Sequence, residues 1–598
     1  MSKLWQVSSA APKEFTDKFP EINPVVLQLL YHRGLDTQEK IDEFFNPDYE
    51  GDIHDPLLFA DMAKAVERIF TAIQTGQKVM VHGDYDADGV TSSVIMVSVL
   101  KKLAAVFGPA GEAADDHIDI FIPHRELDGY GLKEKNILEF AKAGVSLVIT
   151  VDCATSNVRE VQLASEQGME VIITDHHQAG HTLPAAYAMI NPNVPGEPYP
   201  FKFLSGAGVA FKVAQALIHQ AKTKAPKENW EAFEKWLLDL VAIGIVADVM
   251  PLLGENRTLV KYGLVVLNKT SRLGLRALLF KAGIGGNGRM ANGLRDLLPK
   301  AGLNTYSIAF QIGPRLNAAG RMDHANTAYG LLMTTDPAEA ETLSDQIQES
   351  NTARQTLTET IMRTAAPACQ EQVTANHQLL VIYGNDWPTG VLGLVAGKLM
   401  DQFGRPVIVA SFYQGKVVAS GRSLPQFDLF VALGQQEKYF TNFGGHPAAC
   451  GFTLQDPQSV EAFQRDIQAA ADAQLAGVQF GALLEIAAEI DLAAITWGLY
   501  DELEKMEPFG EANRRPLFLL RQLAVDGVEP LGKDQTHLKL MVKQANGLVR
   551  KLIGFGLASS FGHLRRGDHV DAVVEVGVNE WNGNRELQMK VVDMKMSG

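Results

Sequence analysis

Between Val79 and Ser93 the chain reads VMVHGDYDADGVTSS, with His82, Asp84, Asp86 and Asp88 at every second position. In an extended segment this spacing turns all four side chains to one side, where the carboxylates repel one another unless a divalent cation lies among them. A DxDxDG order also opens EF-hand loops, but the twelfth position counted from Asp84 is Ile95 in an apolar stretch, not a bidentate Glu, which argues against calcium sensing. The bland alternative is a turn in which Asp88 caps the next helix. Asp152 follows VITV, and Asp175, His176 and His177 follow VIIT. Adjacent side chains diverge, so one imidazole of the pair can hold metal while its neighbour turns toward substrate. Asp248 lies inside the largely apolar run LLDLVAIGIVADVMPL, where an isolated buried carboxylate is costly without a cation. Its competing reading is a turn cap before Pro251. Mixed imidazole and carboxylate suits two cations such as Mn²⁺ better than the all-oxygen shell typical of Mg²⁺, although Mg²⁺ can serve.

The elements that must position these groups follow from periodicity. Strands are predicted at Lys78 to Val81, His117 to Ile122, Leu147 to Val151 and Val171 to Thr174, with helices over Thr91 to Val106, Leu132 to Lys142 and Asn157 to Gln167. That alternation predicts an α/β fold, a mostly parallel sheet covered on both faces, with ligands gathered beyond the carboxyl ends of its strands. The acidic and imidazole groups fall at those ends.

With 598 residues the chain exceeds one hydrophobic core, so three or four domains are expected. The start, MSKLWQVSSAAPKEF, lacks the apolar core of a signal peptide, and no later run reads as long and apolar enough to cross a bilayer, which predicts a cytoplasmic protein. Cys153, Cys369 and Cys450 are far apart and form no CxxC pair, so neither a disulfide framework nor a thiolate zinc site is expected. The net charge of −16 opposes a polyanionic ligand at long range. It is unevenly spread: Pro516 to Gly598 carries eleven Lys or Arg against nine Asp or Glu, which leaves room for a local nucleic-acid groove.

Further along, a helical region runs from Glu255 to about Gly330, and Pro337 to Asn376 reads as one long connecting helix. A second α/β unit has strands at Leu379 to Tyr383, Pro406 to Ser411 and Val417 to Ser420. From about Glu485, five short strands with one helical segment fit a small OB barrel, with Asn582-Gly583 as a hairpin signal. Phe518, Phe555, Phe561 and Trp581 are stacking platforms for bases or, more commonly for strand aromatics, simply core.

HGDYDADG, VDCA, TDHH and GIVADVMPL occur in the order of the motifs of the DHH phosphoesterase superfamily, and the chain is identified from them as resembling it. IPHRELDGYGL, IGPRLNAAGRM, ASGRS, FGGHPAACGF and the OB-like tail extend the likeness to the bacterial exonucleases specific for single-stranded DNA that work from the 5′ end. The resemblance implies an N-terminal segment over 1–60, a DHH catalytic domain over 61–336, a connecting helix over 337–376, a DHHA1-type domain over 377–478 and an OB-fold nucleic-acid-binding domain over 479–598. It implies His82, Asp86 and Asp152 on one metal and Asp88, Asp152, His176 and Asp248 on the other, with Asp152 bridging and Asp84 in support. Two cations about 3.5 to 4 Å apart make water reactive toward phosphorus and offset phosphoryl charge. His177 then contacts the scissile phosphate, against the alternative of a buried imidazole donating to a backbone carbonyl. Arg125, Ser420 and Arg422 are implied to cradle the terminal 5′-phosphate, a task for which forked guanidinium donors are apt. Arg315, Asn317 and Arg321 offer further phosphate contacts, with pairing to Asp323 as the structural competitor. Gly444 and Gly445 allow close approach of a backbone to phosphate, and His446 is placed to hydrogen-bond the nucleotide. A cleft too narrow for duplex gives strand selectivity. The implied partners are single-stranded DNA, single-strand-binding protein and a DNA helicase, and the chain is expected to be a monomer. The same centre could instead serve short RNA or nucleotide phosphates, or be retained in a non-catalytic strand-binding scaffold.

Overall fold

Val, Ile and Thr runs too apolar for a half-solvated strand build a sheet buried on both faces. In the computed structural model these are β1 (Lys78–His82), followed by helix α1 (Ala87–Phe107), then β2 (Ile118–Phe121), β3 (Val145–Val151), β4 (Glu170–Thr174) and β5 (Ala188–Ile190). All pair in parallel in the order β2-β1-β3-β4-β5. Leu147, Val148, Ile149 and Val151 of β3 are fully buried. Leu147, Ile149 and Val151 join the large core that includes α1, while Val148 faces a second core with Ile137, Phe140 and Val161. Side chains that alternate across a pleat and are buried on both sides require the helical cover predicted from the sequence.

The structure describes residues 3–111, 116–180, 182–284, 302–478, 480–481, 483–545, 547–581 and 583–597. They form two compact units, Pro47–Met400 with Pro406–Ala476, and Met1–Asn46 with Asp401–Arg405 and Gly477–Gly598. Part of the helical region predicted from Glu255 to Gly330 lies outside the described residues, as do Asn582 of the hairpin signal and the side chain of Trp581.

Helix α1 starts four residues before the predicted Thr91. Asp86 Oδ1 accepts from the backbone N–H of Asp88 and Gly89, both at 3.0 Å, and so caps the first turn. His82, Asp84, Asp86 and Asp88 therefore do not share one extended face, as their period of two suggested. They follow a strand end, a turn and a helix start, and the cap is Asp86, not Asp88. A second expectation is also corrected: α1 is long and apolar enough to cross a membrane by length and composition. Its apolar side chains are instead buried beneath the sheet and against α2 (Gly206–Lys224) and α3 (Leu238–Ala247).

Helix α4 (Gly313–Met322) packs along α5 (Pro337–Thr374), the long connecting helix, which spans about 57 Å at the usual rise. Beyond it lie β6 (Leu380–Asn385), α6 (Thr389–Phe403), β7 (Val407–Tyr413), β8 (Lys416–Arg422), β9 (Phe440–His446) and β10 (Ala449–Leu454). This second sheet has the order β9-β10-β8-β7-β6, and only β6 and β7 are parallel.

In the other unit, Leu517–Leu531, His537–Lys543, Val549–Gly554, Asn584–Met596 and His569–Trp581 pair in that order, and the last pairs back to the first to close a five-stranded barrel. The short helix Ala558–Phe561 lies between the third and fourth strands in sequence, as an OB fold requires. Phe518 is fully buried and belongs to the barrel's core, so it is not a stacking platform. Phe555 is half exposed and packs edge-on to His537, while Phe561 is partly buried. The N-terminal strand Leu4–Val7 pairs with Leu483–Ile486, and Trp5 Nε1 donates to Asp593 Oδ2 at 2.7 Å.

Candidate metal centre and phosphate pocket

Three parallel strand ends and two helix ends deliver the acidic and imidazole groups to one place. β1 ends in His82, whose buried ring has Nδ1 3.6 Å from Cys153 Sγ and an Nε2 without a hydrogen-bond partner among the described residues. Asp88, in the first turn of α1, is seated on the N-terminus of α2, where its carboxylate accepts from Gly206 N at 2.6 Å and Ala207 N at 2.9 Å. β3 ends in Asp152 with φ 61°, and Ala154 follows at φ 88°. Left-handed backbone at two non-glycine residues is strain of the kind that collects at functional sites. It is held by Asp152 N donating to Thr174 O at 2.9 Å and Thr150 Oγ1 donating to Cys153 O at 3.0 Å. Asp248 is the C-cap of α3, where the helix dipole disfavours a carboxylate and a nearby cation offsets the penalty.

His176 Nε2 lies 3.1 Å from Asp152 Oδ1, 3.5 Å from Asp248 Oδ2 and 3.9 Å from Asp88 Oδ2. Potential ligand atoms fall within 4.8 Å of one another in three sets: Asp84, Asp86 and Asp152; Asp88, His176 and Asp248; and Asp152, His176 and His177. Asp152 thus belongs to two sets. Asp84 stands where the resemblance assigned His82, and His82 is in none of the three.

The donor set nevertheless fits divalent cations. Among the described residues, His82 Nε2, Asp84 Oδ1 and Asp152 Oδ1 are buried with no hydrogen-bond partner. An added Cβ at Gly206 would sit 2.5 Å from Asp152 Oδ1, and one at Gly244 2.3 Å from Asp88 Oδ1, so both helices come this close only as glycine. Burial and then neighbouring carboxylates push Asp84 and Asp152 well above the carboxylate range, Asp88 to about 7 and Asp248 to about 9. Burial lowers His82 and His176 to about 4, which keeps both imidazoles neutral and able to ligate. Negative charge crowded this way calls for cations.

His177 differs from its neighbour. Its Nδ1 lies 2.8 Å from Asp175 Oδ1 and 3.1 Å from Tyr130 Oη, and its side chain is about half exposed. Burial works against its charge, but the hydrogen bond and charge of Asp175 outweigh that and raise it to about 9. It is not a buried ring donating to a backbone carbonyl, because a carboxylate holds it. Asp175, kept below the usual carboxylate range by His177 and Thr155 despite its burial, orients both histidines by also accepting from His176 N at 2.7 Å and His177 N at 3.2 Å. Asn193 Nδ2 donates to His176 O at 2.6 Å, and Asn191 Nδ2 to His177 O at 2.9 Å. Sequence reasoning missed Tyr130, Asn191 and Asn193, which carry no signal in spacing because they act through turns.

Of the predicted phosphate contacts, Arg125, Arg321 and Arg422 come together. Arg125 stacks on the Tyr85 ring at 4.7 Å. Arg321 Nη1 donates to Gly390 O at 3.0 Å, near the start of α6. Arg422 Nη1 donates to Ser420 Oγ at 3.2 Å, and a Cβ at Gly393 would lie 2.7 Å from Arg422 Nη2. Burial and then the charge of Arg125 lower Arg321 to about 9 and depress Arg422. Among the described residues no carboxylate lies within ion-pair distance of any of the three, Asp323 included. Like charges assembled without a counter-ion make an anion pocket. Thr389 Oγ1 donates to Glu126 Oε1 at 2.6 Å beside it. Arg315 lies elsewhere on α4 and donates from Nε to Gln348 Oε1 at 2.9 Å.

Asn317 Oδ1 accepts from Ala87 N at 2.8 Å and helps cap α1, a role the sequence did not suggest and one that leaves its Nδ2 as the donor for the expected phosphate contact. Asn317→Ala should leave that N–H unpaired and cost about 1 to 2 kcal/mol, read as a lower denaturation midpoint with chelator present. An unchanged midpoint would show that the cap is not needed. Gly445, at φ 139°, has its Cβ position filled by Ala449 O at 2.2 Å, whereas Gly444 faces open space. His446 at the end of β9 is exposed, and burial, Arg422 and then His177 lower it.

Comparison with known proteins follows the same divisions. The chain matches the family models for the DHH family N-terminal domain over residues 78–245, the DHHA1 domain over 376–473 and the RecJ OB domain over 486–593. It is 35% identical to the single-stranded-DNA-specific exonuclease RecJ of Bacillus subtilis over 98% of this chain and 69% of that protein. Against the Escherichia coli protein of the same name it is 30% identical, over 98% of this chain and 99% of the other. The crystal structure of RecJ in complex with Mn²⁺ from Thermus thermophilus superposes with a TM-score of 0.80 at 29% identity, covering 99% of this chain and 80% of that one.

Proposed function

This chain belongs to the RecJ family of single-stranded-DNA-specific exonucleases, and from that premise we propose that it hydrolyses single-stranded DNA from the 5′ end and releases 5′-mononucleotides in recombination and repair. The carrying observation is the convergence on Asp152 of carboxylates and the imidazoles of His176 and His177 from separate strands and helices, with buried ligand atoms left without hydrogen-bond partners among the described residues. Asp84, Asp86, Asp88, Asp152, His176 and Asp248, with His82 alongside, would hold two divalent cations, Mn²⁺ or Mg²⁺. When bound, such cations acidify water and neutralise charge on phosphoryl oxygens.

The chain's own residues do the rest. Positively charged His177, fixed by Asp175, donates to a non-bridging oxygen of the scissile phosphate as negative charge grows there. Tyr130 Oη meets His177 Nδ1 and donates to the backbone carbonyl of Asp152 at 3.2 Å, so one hydroxyl ties the phosphate contact to the backbone that carries the shared ligand. Arg125, Arg321, Ser420 and Arg422 hold the terminal 5′-phosphate and set the register of cleavage from the end. Gly444 leaves open space beside His446, which reaches the departing nucleotide.

Single-strand-binding protein and a DNA helicase fit this reading as partners, and a reducing compartment such as the cytoplasm fits three buried, free cysteines. The test is digestion of 5′-labelled and 3′-labelled single strands and duplexes with Mn²⁺, Mg²⁺ or chelator. Metal-dependent release of the 5′ label first, from single strands alone, is expected. Release of the 3′ label first, or equal attack on blunt duplex, would overturn polarity and strandedness together.

A further inference from the structure

The loop that carries Arg125 is shaped by an imidazole. His124 Nδ1 accepts from the backbone N–H of Glu126 and of Leu127, both at 3.2 Å, while His124 O accepts from Asp128 N at 2.9 Å and Gly129 N at 3.2 Å. Asp128 Oδ2 closes the turn by accepting from His124 N at 2.8 Å. Packing contributes little at the tip, where Leu127 is 83% exposed, so these hydrogen bonds fix the course of the backbone that bears Arg125. A second histidine stands against the first. The rings of His124 and His324 lie 5.7 Å apart at 67°, and His324 Nδ1 accepts from Asn326 N at 3.1 Å. His324 follows the end of α4, whose Arg321 belongs to the same pocket as Arg125.

An Nδ1 that accepts an N–H is unprotonated, so both rings are neutral and carry their hydrogen on Nε2. Protonation of His124 would put an N–H at Nδ1 facing the donors of Glu126 and Leu127, and the turn would lose two hydrogen bonds at once. Imidazole is the side chain that ordinarily changes charge between about pH 5 and 8. Around the pair stand Asp128 on the loop and Asp323 beyond α4, which favour the charged form of His324, and Arg125 and Glu126, which flank His124 in the chain. Burial and then His124 outweigh the two carboxylates and lower His324. We propose that His124, backed by His324, is a positioning residue for the terminal-phosphate pocket: the neutral imidazole holds the turn that aims Arg125, and acid releases it. The proposal rests on the strand-degrading function above, with Arg125 on the 5′-phosphate. Its consequence is that preference for a phosphorylated 5′ end fades below neutral pH faster than the phosphate's own loss of charge accounts for.

The test uses the full-length protein in chelator, where no hydrolysis occurs. Binding of a 5′-phosphorylated and of a 5′-hydroxyl 20-nucleotide strand is followed by fluorescence anisotropy between about pH 5.5 and about pH 8. The ratio of the two affinities isolates the terminal contact. The phosphate itself takes up a proton at about pH 6, equally for every variant, so variants are compared at each pH. His124→Ala should lower the ratio about tenfold at about pH 7.5, with affinity for the 5′-hydroxyl strand changed by less than about twofold as the sign of a folded protein. His124→Asn should restore the ratio, because its Oδ1 accepts the same N–H groups without titrating, and at about pH 5.5 should hold it about tenfold above the wild type. Parallel loss of preference in wild type and His124→Asn as pH falls, a full ratio in His124→Ala, or no restoration by His124→Asn would each overturn positioning by a neutral imidazole. A wild type that binds both strands equally at about pH 7.5 would overturn it by removing the phosphate pocket itself. If the wild type binds neither strand, it is the proposed function that fails.

Discussion

Asp152→Asn should reduce Mn²⁺-dependent hydrolysis on the order of a thousandfold, because loss of an outer hydrogen-bonding partner alone costs about 10 to 100-fold in metal sites and this residue is shared by two ligand sets. Its effect on stability should have the opposite sign when metal is absent. The wild-type carboxylate is buried, and Asp88, Asp86, Asp248 and Asp84 all act to keep a proton on it. Asn occupies nearly the same volume and carries no charge. In chelator the variant should therefore melt at or above the wild type, with a gap that widens as pH rises, each 1 kcal/mol appearing as about 2 to 4 °C. With saturating Mn²⁺ the order should reverse. Thermal melts in both conditions, with bound metal measured on the same samples, decide the matter. A variant that melts lower than wild type in chelator at every pH would show that Asp152 is a structural hydrogen-bonding residue, not a ligand.

Metal binding near neutral pH should release protons. Asp88 is raised to about 7 and Asp248 to about 9, chiefly by burial, so the metal-free centre retains protons that a cation must displace. Titration of Mn²⁺ into the metal-free protein in weak buffer at pH 7 should release at least about one proton per chain. Release should vanish once the pH is well above that of Asp248. Affinity should then rise roughly tenfold per pH unit for each proton displaced across that window. Stability without metal runs the other way. These carboxylates titrate higher when folded than when unfolded, so the folded state binds more protons between about pH 4 and pH 9 and loses stability as pH rises through that range. A melting temperature in chelator that climbs from pH 6 to pH 9, with no proton release on adding metal, would contradict both expectations.

Much of this centre was legible before any fold was known because its groups lie at predictable places. Asp152 and the Asp175-His176-His177 triplet follow apolar runs, and a parallel sheet puts the ends of such strands side by side whatever the details of packing. The long helix and the second sheet were legible for a similar reason, since periodicity persists over enough residues to identify them. The barrel's five strands were legible too, but not the fate of its aromatics. Phe518, between Leu517 and Leu519, is core, whereas Phe555, between Gly554 and Gly556, is half exposed.

By its own residues the chain determined which acidic and imidazole groups are candidates for holding metal and the order of its strands and helices, since these depend on chemistry and period within short windows. Only tertiary structure decided that Asp88 leans on the N-terminus of α2. The same is true of Asn317 serving the backbone N–H of Ala87. Those roles depend on which helix end meets which side chain across more than a hundred residues of chain. Such meetings are settled by how closely two backbones pack, as at Gly206 and Gly244, where the missing Cβ makes room for a carboxylate.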